Sequence, residues 1–212
     1  PASLRRVKEI LEKEEIKESN RPLVGISISK LISRYGFTEL SSLDDKYHKY
    51  IDNVAQLADH LINTLNARVV FVPHVIESWH DDRIVADDVY TLIKNKQEVV
   101  SIKNEYTTKE FKGIIGQCDL FIGARMHATI ASTSMFVPTI AIAYSQKTLG
   151  IIGEMLGYER YVLDVRENFS GDDLLSAVDD AWNNKTEIRN ELESKMEDIK
   201  ERALLNAKLV KE

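Results

Sequence analysis

Arg125 and His127 stand two residues apart just behind a glycine, in the run DLFIGARMHATIA of residues 119–131. A guanidinium can clamp a carboxylate or phosphate through two parallel hydrogen bonds. An imidazole titrates near neutral pH and can carry a proton. Gly123 has no Cβ, so backbone N–H groups beside it can approach an anion closely. Residues 119–122 read as a short buried strand, and a helix is expected from about Arg125. The stretch therefore also supplies the partly positive N-terminus of a helix. Gly123, Ala124, Arg125 and Met126 are the expected walls of an anion site, with Arg125 and His127 as its acting groups. The plain alternative is a turn glycine, an arginine paired with an acid, and a packed histidine. Three such residues in one turn at a sheet edge favour function.

Other residues are expected to converge on that turn. Ser29 and Lys30 follow the first strand, in a polar connection over residues 29–42 that also carries Arg34 and Tyr35. Connections of that length are often functional. Tyr144 and Lys147 follow the fifth strand, and Lys147 would add a second positive charge. His74 directly follows the second strand. With Glu77, His80, Asp81 and Asp82 it forms a cluster whose spacing fits no tight metal pattern such as HExxH, so a solvated acidic loop and no metal are expected. The run GISIS of residues 25–29 has too few glycines for a dinucleotide turn or a phosphate loop.

The elements that must hold these residues alternate. Helical spacing of apolar residues covers about 3–17, 44–65, 84–94, 107–117, 125–134, 148–156, 171–182 and 186–210. Gly157 stands where a helix-ending glycine belongs. Asp44 and Asp45 are placed to cap the second of these helices, and Ala203 and Leu204 are read as part of the last helix's buried face. Short β-branched runs at 23–28, 68–73, 98–102, 119–122, 138–143 and 161–163 read as six strands. They lack clean alternation, as expected when both faces of a sheet are covered. The prediction is an α/β, doubly wound, mostly parallel six-stranded Rossmann-like sheet of order 3-2-1-4-5-6 with helices on both faces. Strands one and four then flank the topological switch point, where such sheets bind ligands. One domain is expected over residues 1–212: a leading helix to 20, the core over 21–165, and C-terminal helices beyond.

Composition narrows the class. The 212-residue chain is 43% hydrophobic and 29% charged, with a net charge of -6. That argues against nucleic acid as a partner. The single cysteine, Cys118, excludes an internal disulfide and reads as a reduced, partly buried core residue. No stretch is long and apolar enough for a membrane span, and no apolar leader opens the chain. A cytoplasmic location is expected. The chain opens on Pro1 and a charged helix, which suggests part of a longer protein.

The run GARMHATIASTSMFVPTIAIAYSQKTLGI resembles the signature of polysaccharide pyruvyl transferases. The matching positions are Arg125, Met126, His127, Ser132, Pro138, Tyr144 and Lys147, supported upstream by LVGISIS and by VPH followed by Asp81 and Asp82. The resemblance implies one half, the C-terminal one, of a two-domain GT-B-like enzyme. It implies phosphoenolpyruvate as donor substrate rather than a resident cofactor, and a sugar or polysaccharide acceptor bound mainly by a missing N-terminal half. On this carry-over Arg125 binds the donor's phosphate or carboxylate, His127 contacts the donor or acts as acid or base, and Lys147 completes charge neutralisation. Two other readings stay open. One is the nucleotide-sugar half of a GT-B glycosyltransferase or epimerase, with Glu154 near the position of a ribose-gripping acid. The other is a non-catalytic assembly domain, for which a homo-oligomer would be expected.

Overall fold

The computed structural model describes residues 1–77, 81–167 and 169–209. Helix α1 (Leu4–Lys13) precedes β1 (Leu23–Ser27), α2 (Leu31–Tyr35), α3 (Leu43–Leu65) and β2 (Arg68–Phe71). Then come α4 (Asp82–Leu92), β3 (Val99–Ser101), α5 (Thr108–Ile115), β4 (Leu120–Gly123), α6 (Met126–Thr133) and β5 (Thr139–Ala143). The chain closes with α7 (Gln146–Thr148), β6 (Val162–Asp164), α8 (Gly171–Asn183) and α9 (Lys185–Leu209). The sheet is parallel with order β3-β2-β1-β4-β5-β6, as the alternation of elements predicts. Register fixes the switch point: Ser27 at the end of β1 lies beside Gly123 at the end of β4.

Each face of the sheet has its own core. On one, Val24, Ile26, Phe71, Leu120 and Ile122 pack under α3, α4 and α8. On the other, Val70, Val72 and Phe121 pack under α1, α5 and the start of α6. Alternate residues of one strand thus serve opposite layers, and this is why the strands read as unbroken apolar runs. Gly25 lets the second layer close up, since a Cβ there would lie 2.7 Å from the Phe121 ring and 2.9 Å from the Cys118 sulfur. Cys118 is buried, and burial pushes its thiol up, out of the reactive range.

Some local expectations change. The connection after β1 is not all loop, because α2 occupies its first part. Ser42, rather than Asp44 or Asp45, caps α3 by accepting the Asp45 N–H at 3.3 Å. The helix expected over 148–156 winds as a π-helix from Leu149 to Met155, and Gly157 follows with a left-handed φ of 61°. In α9, Ile188, Leu192 and Met196 are buried, but Ala203 is exposed and Leu204 is 60% exposed. The last turns of α9 run beyond the core they were expected to cover.

Glu14, at the C-cap of α1, ties that helix to the connection between β3 and α5. It is 6% exposed. Its carboxylate accepts hydrogen bonds from the Lys103 N–H (2.9 Å), from the Asn104 backbone and side chain, and from the Tyr106 hydroxyl (2.6 Å). Burial alone would raise its pKa, yet these donors hold it below the ordinary glutamate value. A carboxylate with a depressed folded pKa adds stability above its unfolded pKa of about 4.3 and loses it as pH falls through the folded value. Glu14→Gln is therefore expected to cost about 1–3 kcal/mol at pH 7. The gap from wild type should shrink toward pH 3, as read by urea titrations at both pH values. An equal gap at both would contradict the assignment.

Candidate active site

The site is built on the turn from β4 to α6. Arg125 is the N-cap of α6 in extended backbone (φ -110°, ψ 120°), one residue outside the helix rather than in its first turn. The Arg125 side chain makes no capping hydrogen bond to this N-terminus. The N–H groups of Met126 and His127, which have no partner within an α-helix, have no hydrogen-bond partner among the described residues. Gly123 has a use other than anion access: a Cβ there would lie 2.3 Å from Thr129 Cγ2, so its absence lets the first turn of α6 dock on β4. The Ala124 N–H donates to the Ser27 carbonyl at 2.8 Å, which commits it to the sheet rather than to a ligand.

Arg125 is held by a buried acid. Its Nη2 donates to Asp82 Oδ1 at 2.6 Å and its Nε to Asp82 Oδ2 at 3.3 Å. The side chains are 11% and 1% exposed. Asp82 Oδ2 also accepts the backbone N–H groups of His74 (3.0 Å) and Val75 (2.9 Å). One carboxylate thus joins the connection after β2 to the turn after β4. The expected solvated acidic loop is corrected here: Asp82 is in the core. Its neighbour Asp81 caps α4 and pairs with Arg83, which holds its carboxyl below the usual carboxylate range. His80 lies outside the described residues. The guanidinium is engaged side-on, and Nη1 has no hydrogen-bond partner among the described residues.

That tie brings His74 to His127. Their rings stack with centroids 5.7 Å apart and planes 15° from parallel. Partial enclosure first, then the neighbouring His127 and Arg125, hold the His74 pKa below the ordinary histidine value, against the pull of Asp82. His74 is therefore neutral at pH 7. Both imidazoles line a cleft of about 520 Å³ walled by Tyr106, Phe111, Lys112 and Ile130 from α5, α6 and the connection before α5.

The remaining expected residues divide. Ser29 is fully buried and turned inward; its N–H donates to the Tyr50 hydroxyl and its Oγ accepts the Leu31 N–H, so it does not face the turn. Lys30 is exposed, with its ammonium over the Tyr47 ring at 4.8 Å. Tyr144 stacks on Tyr35, and Lys147 is exposed on α7. Asp82 was legible only indirectly. Two acids precede a helix that needs one cap, and the second was free for another task. Among the described residues no group of three or more His, Cys, Asp or Glu is arranged to hold a metal ion, and no helix is long and apolar enough to cross a membrane.

Comparison with known proteins fits this architecture. The fold is that of one half of a GT-B glycosyltransferase. Escherichia coli ADP-heptose lipopolysaccharide heptosyltransferase II superposes with a TM-score of 0.59 at 12% identity, over 88% of this chain and 54% of that one. The C-terminal CMP-Kdo binding domain of WaaA from Acinetobacter baumannii gives 0.51 at 13% identity, over 92% of this chain and 99% of that domain. The polysaccharide pyruvyl transferase family model matches residues 10–146, and the chain belongs to that family. The amylovoran biosynthesis protein AmsJ of Erwinia amylovora is 30% identical over 118 residues, 55% of this chain. That match spans 28% of AmsJ, so the chain corresponds to only part of that relative.

Proposed function

We propose that this domain binds phosphoenolpyruvate and takes part in transferring its pyruvyl unit to a sugar hydroxyl. The observation that carries the reading is the stacked His74–His127 pair beside the anchored Arg125, within the residues that the family model matches. Phosphoenolpyruvate is small and highly anionic. The N–H groups of Met126 and His127, the Nη1 of Arg125, which has no partner among the described residues, and the exposed Lys147 are groups of the right sign to receive its phosphate and carboxylate. Because Asp82 balances much of the Arg125 charge, Arg125 contributes geometry more than net charge.

The reaction needs a proton first. His127 delivers it to the terminal CH2 carbon of the enol, which becomes a methyl group while cationic character develops at the adjacent carbon. A sugar hydroxyl adds there and gives up its proton. Phosphate leaves with the C–O bonding pair, and a second hydroxyl closes the ketal with loss of its own proton. His74, held neutral, is the acceptor for one of these protons. The departing phosphate is stabilised by the turn's N–H groups. The acceptor is proposed to sit partly on a second domain of a GT-B-like pair.

Thermal unfolding with added phosphoenolpyruvate, UDP and UDP-glucose tests the donor. Selective stabilisation by phosphoenolpyruvate is expected, of about 2.7 kcal/mol at a concentration 100 times the Kd. A preference for UDP or UDP-glucose would favour a nucleotide-sugar donor and refute the reading.

A further inference from the structure

Tyr35 and Tyr144 form a second stacked pair, and the site described so far does not use it. Their ring centroids are 5.6 Å apart and their planes 8° from parallel. Tyr35 ends α2, in the connection after β1, whereas Tyr144 follows directly on β5. Strand β4 lies between β1 and β5 in the sheet. Two strand spacings of about 4.8 Å separate the outer strands. The rings therefore meet across the C-terminal end of β4, the strand whose turn carries Arg125 and His127. The His74–His127 pair likewise joins the connections after β2 and β4, which flank β1. The two stacks thus stand on either side of the switch point.

Tyr35 is 45% exposed even though Tyr144 covers one face of its ring. Much of its surface is therefore accessible to solvent. Neither phenol oxygen has a hydrogen-bond partner among the described residues. The backbone that follows Tyr35 is closely packed. Gly36 follows it with so little room that a Cβ would lie 3.2 Å from Val165 Cβ. Phe37 comes next, with a left-handed φ of 52°, its side chain 2% exposed and edge-on to Phe169 at 5.8 Å. A buried non-glycine residue in that conformation is strained, and such strain persists only where the surroundings fix it. The result is a flat, amphipathic aromatic surface, well exposed and carried on closely packed backbone.

We propose that the exposed ring of Tyr35, backed by Tyr144, is the stacking platform for a pyranose ring of the acceptor. An aromatic face carries negative quadrupole potential that attracts the polarised C–H groups on the apolar side of a sugar ring. The free phenol oxygens are placed to bond the hydroxyls at its edge. This rests on the reading that the acceptor is a sugar.

Saturation-transfer NMR with the methyl β-glycosides of glucose, galactose and mannose, at millimolar concentration, tests the platform on wild type, Tyr35→Leu and Tyr35→Phe. Uridine serves as a planar control, and phosphoenolpyruvate thermal shifts are run in parallel. At least one glycoside should bind wild type with transfer concentrated on its ring C–H protons. Its Kd should rise about tenfold in Tyr35→Leu and stay within about threefold in Tyr35→Phe. Phosphoenolpyruvate stabilisation should be the same in all three proteins. The platform is overturned if no glycoside binds, if Tyr35→Leu binds as wild type does, or if only uridine responds to the substitution. Loss of the phosphoenolpyruvate effect with retained, Tyr35-dependent glycoside binding would sink the donor reading and leave the platform standing.

Discussion

Arg125→Ala is expected to cost about 3–5 kcal/mol of folding stability, the usual penalty for stranding a buried charge. For a domain of this size that is a fall in Tm of roughly 10 °C. Asp82 is 1% exposed, and removing the guanidinium leaves its carboxylate facing only the N–H groups of His74 and Val75. Arg125→Lys should recover only part of the loss, because an ammonium cannot engage both carboxylate oxygens in the same plane. Asp82→Ala should be as damaging as Arg125→Ala. It strands the arginine, frees the two backbone donors, and lets the connection carrying His74 move away from His127. A practical consequence follows for ligand work. Lost binding in an Arg125 variant reports a loosened turn as much as a lost contact, so the donor is better tested through His127. A loss below about 1 kcal/mol in urea titrations of Arg125→Ala would mean that the pair is solvated.

His127→Asn is expected to lower transfer by a factor of about 10²–10⁴, the usual contribution of a positioned proton donor. On the proposed function, the readouts are phosphate release and ketal formation. Stability should change by no more than about 0.5 kcal/mol, since His127 is exposed. Donor affinity should fall far less than turnover. His74→Asn should slow transfer less, because it removes a proton acceptor and not the donor. Unchanged turnover in His127→Asn would end the acid role.

The frame of this protein was readable because strand and helix patterns alternate and both sheet faces are covered, which leaves few possible strand orders. His74 and His127, 53 positions apart, could be placed at one edge because the first directly follows a strand and the second stands in the first turn of the helix after another. What could not be read has a common physical cause: it depends on tertiary partners. Asp82 looks like any acid at a helix start until Asp81 takes the cap. Gly123 looks like a flexible turn until Thr129 packs where its Cβ would be. Ser29 looks available until Tyr50, on the buried face of α3, claims its N–H. Tyr35 lay in a segment too short for helical periodicity to appear, so neither α2 nor the tyrosine stack could be foreseen. The plain reading of Arg125, an arginine paired with an acid, also holds. Pairing and a role in binding are compatible because the carboxylate takes Nε and Nη2 and leaves Nη1.

The central claim is that the His74–His127 pair receives phosphoenolpyruvate. The most direct test follows the imidazole resonances of isotopically labelled protein through a titration with phosphoenolpyruvate. His48, and His60 paired with Asp179 at 2.7 Å, serve as internal references. The prediction is that the ring signals of His74 and His127 move together along one saturable curve and that the references stay still. The same titration with UDP should leave all four unmoved. Stationary His74 and His127 signals while phosphoenolpyruvate stabilises the fold, or a response to UDP instead, would contradict it.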